Sequence, residues 1–227
     1  MTTKDKPVAL IIGAGDHLGS AIARRFAKEG FHLVVTRRRG DLDLLSSEIQ
    51  ALGSSATAIH SDARDEDQVI ELVERVESEH GPIRVAVFNV GGNVRFDICE
   101  TSTRVYRKVW EMCALAGFLV GREVAKKMLQ RNEGTLLFTG ASASLRGGRG
   151  FAAFAGGKHA LRALAQSMAR ELGPQGIHVA HVVVDGLIRN EATAEFLREV
   201  EKKYPDFRFD VSGHSLGGNT LMNVFNQ

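Results

Sequence analysis

A glycine-rich turn near the amino terminus is the first segment whose residue types could bind a ligand. Gly13, Gly15 and Gly19 follow the apolar run Val8–Ile12, and a helical pattern begins at Leu18. Glycine permits a tight turn, and the amino end of a helix offers unpaired N–H groups to a phosphate. The G-x-G-x-x-x-G spacing is one residue longer than the strict dinucleotide fingerprint, so a merely structural turn is equally compatible with it.

Three consecutive arginines follow the second apolar run, roughly 20 residues beyond the glycine turn. A free ribose 2′-hydroxyl is usually bound by Asp or Glu at this point, whereas a 2′-phosphate is bound by Arg. Arg37 and Arg38, followed by Arg39, offer bidentate hydrogen bonds to a phosphate dianion. A solvated charge run is the alternative. Because the arginines follow a glycine turn at this distance, the sequence favours NADP over NAD.

Alternating apolar runs and helical patterns determine where these residues lie. The predicted strands are Val8–Ile12, Leu33–Thr36, Ala56–His60, Val85–Asn89, Thr135–Thr139, Val179–Val184 and Phe207–Val211. The predicted helices are Leu18–Lys28, Leu42–Leu52, Asp65–His80, Thr103–Gln130, Phe154–Leu172 and Glu191–Tyr204. This order predicts an α/β fold of the Rossmann type, a doubly wound and mainly parallel seven-stranded sheet with helices on both faces. We expect a single domain.

Length, composition and charge exclude several classes of protein. A chain of 227 residues with 44% hydrophobic and 25% charged residues is typical of an ordinary folded domain. The net charge of +2 predicts neither a nucleic-acid nor a membrane partner. The first apolar run is too short for a signal peptide or a membrane span. Cys99 and Cys113 have neither metal nor disulfide spacing, so we expect no metal site and a cytoplasmic location.

Several motifs in order resemble those of the short-chain dehydrogenase/reductase family, over about residues 6–190. Residues 12–19 resemble its T-G-x-x-x-G-x-G loop, and Asp62 resembles the aspartate after its third strand. Residues 89–92 resemble its N-N-A-G motif, and residues 185–190 resemble its P-G-x-x-x-T segment. The helical sequence from Lys158 onward resembles the helix that follows its Y-x-x-x-K motif. The resemblance implies that residues 1–190 form a dinucleotide-binding core.

The resemblance also implies individual cofactor contacts. Asp62 would contact the adenine, Asn89 and Gly91 would line the cofactor, and Lys158 would hold the nicotinamide ribose. Each residue alone has a simpler alternative: Asp62 as a helix cap, Asn89 as a turn residue and Lys158 as a surface lysine. His17 replaces the middle glycine of the family loop. The expected cofactor-binding residues are Gly13, Gly15, His17, Leu18, Gly19, Arg37, Arg38, Asp62, Asn89, Gly91, Lys158, Gly186 and Ile188.

Three of the four catalytic positions of that family carry other residues here. Phe154 lies four residues before Lys158, where the family has its catalytic tyrosine. Ala141 falls at the position of the family's serine, and Ala114 falls at that of its helix asparagine. Lys158 and the nearby Ser142 are therefore the remaining candidate catalytic residues. A phenyl ring cannot donate a proton, and loss of a general acid typically costs ~10²–10⁴ in rate.

The segment 191–227 departs from the family pattern. It resembles the helix, strand and nucleophile elbow of an α/β-hydrolase lipase, with G-x-S-x-G at Gly213–Gly217 and a short helical run at Leu221–Phe225. A complete triad in hydrolase order is excluded, because no Asp, Glu or His follows Leu216. We favour the alternative that Phe207–Val211 forms the seventh strand and that this segment completes the same domain.

Three functions follow from these patterns. The first is an NADP(H)-dependent oxidoreductase that transfers hydride to or from a small carbonyl or alcohol, slowly because of its degenerate catalytic residues. The second is a non-catalytic NADP-binding or scaffold protein, and the third is a serine hydrolase acting through Ser215. The apolar helical segments Val105–Leu129 and Phe154–Leu172 predict a homodimer or homotetramer, because the corresponding helices of the family pair across a two-fold axis.

Overall fold

Strands and helices alternate along the chain in the computed structural model, which describes residues 6–188 and 215–224. The first half contains β1 (Val8–Ile12), α1 (Leu18–Lys28), β2 (His32–Arg37), α2 (Asp43–Ala51), β3 (Ala56–His60), α3 (Glu66–Glu79) and β4 (Ile83–Phe88). The second half contains α4 (Thr103–Trp110), α5 (Ala116–Leu129), β5 (Gly134–Ala141), α6 (Ala152–Leu172), β6 (Ile177–Ile188) and β7 (Ser215–Val224). Within residues 6–188, the predicted elements are all present, with ends shifted by a few residues.

Six strands form a parallel sheet in the order β3-β2-β1-β4-β5-β6. The predicted Rossmann-type α/β fold is therefore confirmed for these six strands. The connections reverse direction between β1 and β4, and a crevice forms at such a switch point beyond the carboxyl ends of the strands. Because side chains alternate along a strand, Leu10 packs on one face with α3, α5 and α6, while Ile11 packs on the other with α1 and α2.

The long helix predicted over Thr103–Gln130 is interrupted. A π-helical turn at Glu111–Leu115 separates α4 from α5. At this turn the chain passes close to α6, where a Cβ on Gly157 would lie only 2.9 Å from the Cβ of Cys113. The apolar periodicity does not predict the interruption, because a π turn adds one residue without ending the helix.

The strand β7 pairs antiparallel with β6. Leu221–Val224 belong to this strand, so the helical run predicted at Leu221–Phe225 is wrong over these residues. So short an apolar run suits a helix or a strand equally, and pairing with the edge of β6 satisfies the strand's backbone hydrogen bonds. The predicted helix Glu191–Tyr204 and strand Phe207–Val211 lie outside the described residues. In the described parts of the chain, no helix is long and apolar enough to cross a membrane.

Candidate active site

A cavity of about 800 Å³ opens beyond the carboxyl ends of β1, β4, β5 and β6. Residues from four separate segments meet in its walls: His17 and Leu18, Asn89 and Gly91, Ser142, and Lys158. Sequence reasoning named all six as candidate site residues. Their convergence at the switch point of the sheet identifies this cavity as the candidate active site.

The glycine turn at one end of the cavity is built for close backbone contact. Gly13 has a φ of +86°, and a Cβ at this position would lie 2.7 Å from the carbonyl oxygen of Asn89. A Cβ on Gly19 would lie 2.7 Å from the Cα of Ala14, so neither glycine has room for a side chain. The side-chain amide of Asn89 donates a hydrogen bond of 3.0 Å to the Gly13 carbonyl.

This turn fits the pyrophosphate of a dinucleotide. His17 caps α1, Leu18 begins it, and both line the cavity, so the N–H groups of Leu18 and Gly19, which have no main-chain acceptor among the described residues, lie beside it. The Ser20 N–H already donates to the Gly15 carbonyl at 2.9 Å. Gly15 differs from the other two glycines, because no atom lies within 4 Å of the position that its Cβ would take. The close approach therefore depends on the first and third glycines.

The arginines at the end of β2 differ in how far the protein already engages their guanidinium groups. Arg37 is already engaged: its Nη1 donates to Asp16 Oδ1 at 2.6 Å, and its Nε donates to the Arg39 carbonyl at 2.5 Å. The loop wraps around this guanidinium through Gly40, whose φ is +92°. Arg38 lies on the other side, with Nη1 at 3.7 Å from Asp62 Oδ2, beyond hydrogen-bond distance. Of these two arginines, Arg38 therefore has the guanidinium that is less engaged by the protein.

Asp62 is held by an arginine that the sequence analysis did not single out. Arg64 donates to both carboxylate oxygens, at 2.9 and 2.5 Å. These hydrogen bonds lower the pKa of Asp62 to about 2. The alternative role of Asp62 as a helix cap belongs instead to Asp65, whose side chain accepts from the Gln68 N–H at the start of α3. The Asp-x-Arg spacing was the available sequence signal for this pair.

Lys158 is buried rather than on the helix surface, with 4% of its area exposed. Its ammonium donates to the carbonyl oxygens of Thr139 at 2.8 Å and Val90 at 3.3 Å. Burial lowers the pKa of this lysine. Its Nζ lies 5.9 Å from the centre of the Phe154 ring, and Phe154 and Ala141 both line the cavity. The wall beside Lys158 is therefore apolar, although Ser142 keeps a hydroxyl nearby.

Two further residues beside Lys158 were missed. Cys113, in the π-helical turn, contacts α6 at Gly157, whereas sequence reasoning named its neighbour Ala114. His181 on β6 is fully buried, and neither ring nitrogen has a hydrogen-bond partner among the described residues. Burial and the nearby Lys158 lower the pKa of His181 to about 4. A histidine inside an apolar strand run was the only sequence signal for it.

The remaining predicted residues lie at the end of β6. Gly186 and Ile188 belong to its last three residues, and their contacts with a cofactor stay predictions. Asp185, just before them, lines the cavity together with Arg146, and the two side chains approach to 3.7 Å. Within the described residues, no group of three or more His, Cys, Asp or Glu could hold a metal ion.

Comparison with known proteins identifies a matching family and relatives of this chain. A family model described as short chain dehydrogenase matches residues 7–201. An uncharacterized oxidoreductase of Bacillus subtilis, YuxG, is 32% identical over 195 residues, which cover 82% of this chain and 28% of that protein. Human dehydrogenase/reductase SDR family member 4 is 29% identical over 208 residues, covering 89% of this chain and 74% of the relative. The chain thus spans less than a third of YuxG.

Solved structures resemble the fold over most of the chain. A short-chain dehydrogenase from Rhodopseudomonas palustris is 49% identical with a TM-score of 0.76, covering 86% of this chain and 92% of that chain. An NAD⁺-bound xylitol dehydrogenase is 25% identical with a TM-score of 0.79, covering 87% of this chain and 75% of that chain.

Proposed function

Because the chain belongs to the short-chain dehydrogenase family, we propose that it is an NADP(H)-dependent oxidoreductase acting on a small carbonyl or alcohol substrate. The observation that carries this proposal is the convergence of the glycine turn, Asn89 and Lys158 in one cavity. A bound nicotinamide would supply or accept the hydride. The solved xylitol dehydrogenase that resembles this fold contains NAD⁺, which supports a nicotinamide cofactor here.

The chain's own residues would hold the cofactor at three points. The amino end of α1 would receive the pyrophosphate, where Gly13 and Gly19 leave the backbone uncovered. Arg38 would receive a 2′-phosphate, because its guanidinium is less engaged than that of Arg37. The ammonium of Lys158 would hold the hydroxyls of the nicotinamide ribose, since both of its present partners are main-chain carbonyls beside the cavity.

We expect catalysis on simple ketones to be slow. A carbonyl group placed near Lys158 would face Phe154 and Ala141, neither of which can donate a hydrogen bond. Ser142 and a water held by Lys158 are the remaining sources of a proton. Without a positioned general acid, the rate falls by ~10²–10⁴.

Two measurements test this proposal. Calorimetric titration should show NADPH binding more tightly than NADH, and NADPH oxidation should then be followed with a panel of ketones and aldehydes. Tighter binding of NADPH together with weak turnover is the expected result. Equal affinities for the two cofactors would contradict the NADP preference, and absence of binding would contradict the oxidoreductase function.

A non-catalytic NADP-binding protein is the second candidate, and the apolar wall at Phe154 and Ala141 favours it. Tight NADPH binding with no turnover of any compound in the panel would support it. A serine hydrolase acting through Ser215 lacks such support. A nucleophile elbow requires a turn into a helix, whereas Ser215 is the first residue of the strand β7.

We also propose that the protein resides in a reducing, cytoplasmic compartment. There it would form a homodimer or homotetramer through α4 and α5. Tyr106, Trp110 and Phe118 expose 45%, 42% and 42% of their areas on these helices. Leu119 and Leu161 belong to the two apolar helical segments from which the sequence predicts this assembly, but both are buried in the core and contribute nothing to this surface. Light scattering at micromolar concentration should give at least twice the monomer mass, and Trp110→Glu should reduce it. A monomer mass for the unmodified chain would contradict the proposal.

A further inference from the structure

The apolar wall of the cavity restricts which acceptors of hydride can react there. Hydride addition to a simple ketone produces an alkoxide, a base comparable to hydroxide, since water has a pKa of about 15.7. A proton must reach this oxygen as the charge develops. Phe154 and Ala141 offer none. Two of the three N–H groups of Lys158 donate to the carbonyls of Thr139 and Val90, which leaves Ser142 and a water held by Lys158 as the sources. A substrate that needs no concerted proton transfer would avoid this difficulty.

Given the proposed function, on which the inference rests, we infer that the cavity selects quinones over simple ketones. A C–H bond of the reduced nicotinamide would break, and its hydrogen and electron pair would form one new O–H bond on the quinone. The π bonds of the two carbonyls would shift, so that the ring becomes aromatic and the second oxygen carries the negative charge. The products are the oxidised nicotinamide and a hydroquinone monoanion, which takes a proton from water afterwards. A phenol has a pKa of about 10, so this anion is a far weaker base than an alkoxide.

The cavity offers aromatic side chains to a substrate ring. Phe151 and Phe154 both line it, and the guanidinium carbon of Arg95 lies 6.0 Å from the centre of the Phe151 ring. The two loops that form its rim are joined by a hydrogen bond of 2.9 Å from the Phe96 N–H to the Gly150 carbonyl. Aromatic side chains in a cavity wall offer stacking surfaces to a planar substrate.

The electrostatics of the cavity fit an anionic product. Lys158 donates only to main-chain carbonyls among the described residues, so no carboxylate there neutralises its charge. A buried cation without a counter-ion stabilises an anion that forms beside it, because the surroundings screen the interaction weakly. Burial lowers the pKa of Lys158, and a hydroquinone anion beside it would offset this effect by favouring the charged ammonium.

A matched pair of substrates tests the inference. Naphthoquinone and tetralone share a bicyclic skeleton, but only the quinone gives a phenolate on reduction. With NADPH and the full chain, we expect kcat/KM for naphthoquinone to exceed that for tetralone by ~10² or more. Equal values would overturn the inference. The assay should use Cys99→Ser as well as the unmodified chain, because Cys99 is an exposed thiol that can add to quinones.

The variant Phe154→Tyr sharpens the test. A new hydroxyl beside Lys158 supplies the missing proton, so tetralone reduction should rise by a much larger factor than naphthoquinone reduction. The ratio of the two kcat/KM values should therefore fall by about tenfold or more. An equal rise for both substrates would overturn the inference, because the proton would then limit both reactions.

A measurement without turnover examines the role of Lys158 directly. Nitrophenol changes colour on ionisation, so its absorbance reports its pKa when it is bound in the cavity of the protein saturated with NADP⁺. We expect binding to lower that pKa, and Lys158→Met to reverse the shift. A raised pKa in the unmodified protein would overturn the inference. Failure of the proposed function would be recognised separately, as absence of NADPH binding in the calorimetric titration.

Discussion

The two ends of the cavity differ in what they require from side chains. At the end formed by the glycine turn, the fit depends on main-chain groups and on Gly13 and Gly19 having no side chain. At the end beside Lys158, the chemistry of the family depends on hydroxyl groups, and Phe154 and Ala141 lack them. Under the proposed function, the glycine-turn end would hold the dinucleotide, whereas the end beside Lys158 has apolar side chains at two positions where the family resemblance implies hydroxyl groups.

The apolar end also contributes to the fold. Phe154 packs against a cluster of buried residues that contains Val109, Cys113 and Ala153. A phenyl ring fills nearly the volume of a phenol ring and requires no hydrogen-bond partner. The absence of the hydroxyl therefore leaves packing intact, whereas a side chain added to the glycine turn would disturb the backbone. A hydroxyl at position 154 can therefore change catalysis without changing stability, whereas a side chain in the glycine turn would affect both.

The largest effect is expected from Gly19→Val. The new side chain would collide with Ala14 and with the Gly13 carbonyl, so the turn must open. We expect NADPH binding to be lost in calorimetry and the protein to be destabilised by about 1–3 kcal/mol in urea unfolding. The matched control is Gly15→Ala, because no atom lies within 4 Å of that Cβ position. If both variants bound NADPH equally well, the turn would not hold the cofactor.

Phe154→Tyr is expected to have the next largest effect, at the opposite end. The phenol would lie one helical turn from Lys158, and its hydroxyl could donate a proton to a developing alkoxide. Ketone reduction should rise by ~10², below the upper limit for a general acid because Ala141 still donates no hydrogen bond. Steady-state kinetics on the ketone panel would measure the gain. Phe151→Tyr, in the same cavity but at the N-cap of α6, is the control, and an equal gain there would refute the role of position 154.

Acid sensitivity provides a third test, since one histidine is buried on β2 and another on β6. The pKa values of His32 and His181 are lowered from 6.5 to about 4, mainly by burial. Below pH 6.5 the unfolded chain binds protons that the folded chain does not, so stability falls as the pH decreases towards 4. Between pH 7 and 5 each histidine should cost roughly 2 kcal/mol of unfolding free energy.

Urea unfolding at the two pH values would measure this loss. His181→Leu should remove about half of it if the two histidines contribute equally. An unchanged acid sensitivity in His181→Leu would show that folding does not lower the pKa of this imidazole.

The difference between the two ends also explains how much the sequence could predict. The strand β1, the helix α1 and the glycines between them follow from local patterns, and the bounds of both elements agree with the prediction. The π-helical turn that brings Cys113 to α6 depends on packing between distant segments. Likewise, the ion pair between Arg37 and Asp16 joins residues 21 positions apart. Composition and spacing identify such arginines but do not reveal which of them are already engaged.

Arg38→Ala tests the dinucleotide end with a smaller effect. A charge-assisted hydrogen bond contributes about 1.5–3 kcal/mol, so the variant should bind NADPH about tenfold more weakly or worse. Its affinity for NADH, which lacks the 2′-phosphate, should stay close to that of the unmodified chain. Arg39→Ala is the control, because that side chain follows in the exposed loop. Equal losses for both cofactors would show that Arg38 supports the loop rather than the phosphate.

The smallest effect is expected from Asp16→Asn, in the glycine turn. The Asp16 carboxylate is mostly exposed and holds the guanidinium of Arg37 at 2.6 Å. Its removal deletes a negative charge near the expected 2′-phosphate and releases Arg37 as a second cation. Because exposed ion pairs contribute about 0.2–1 kcal/mol, NADPH should bind up to about fivefold more tightly, with NADH little changed. The gain should shrink as salt is added, since screening weakens the attraction between arginine and phosphate. Weaker binding of NADPH would instead show that Arg37 must stay paired with Asp16 to keep the loop in place.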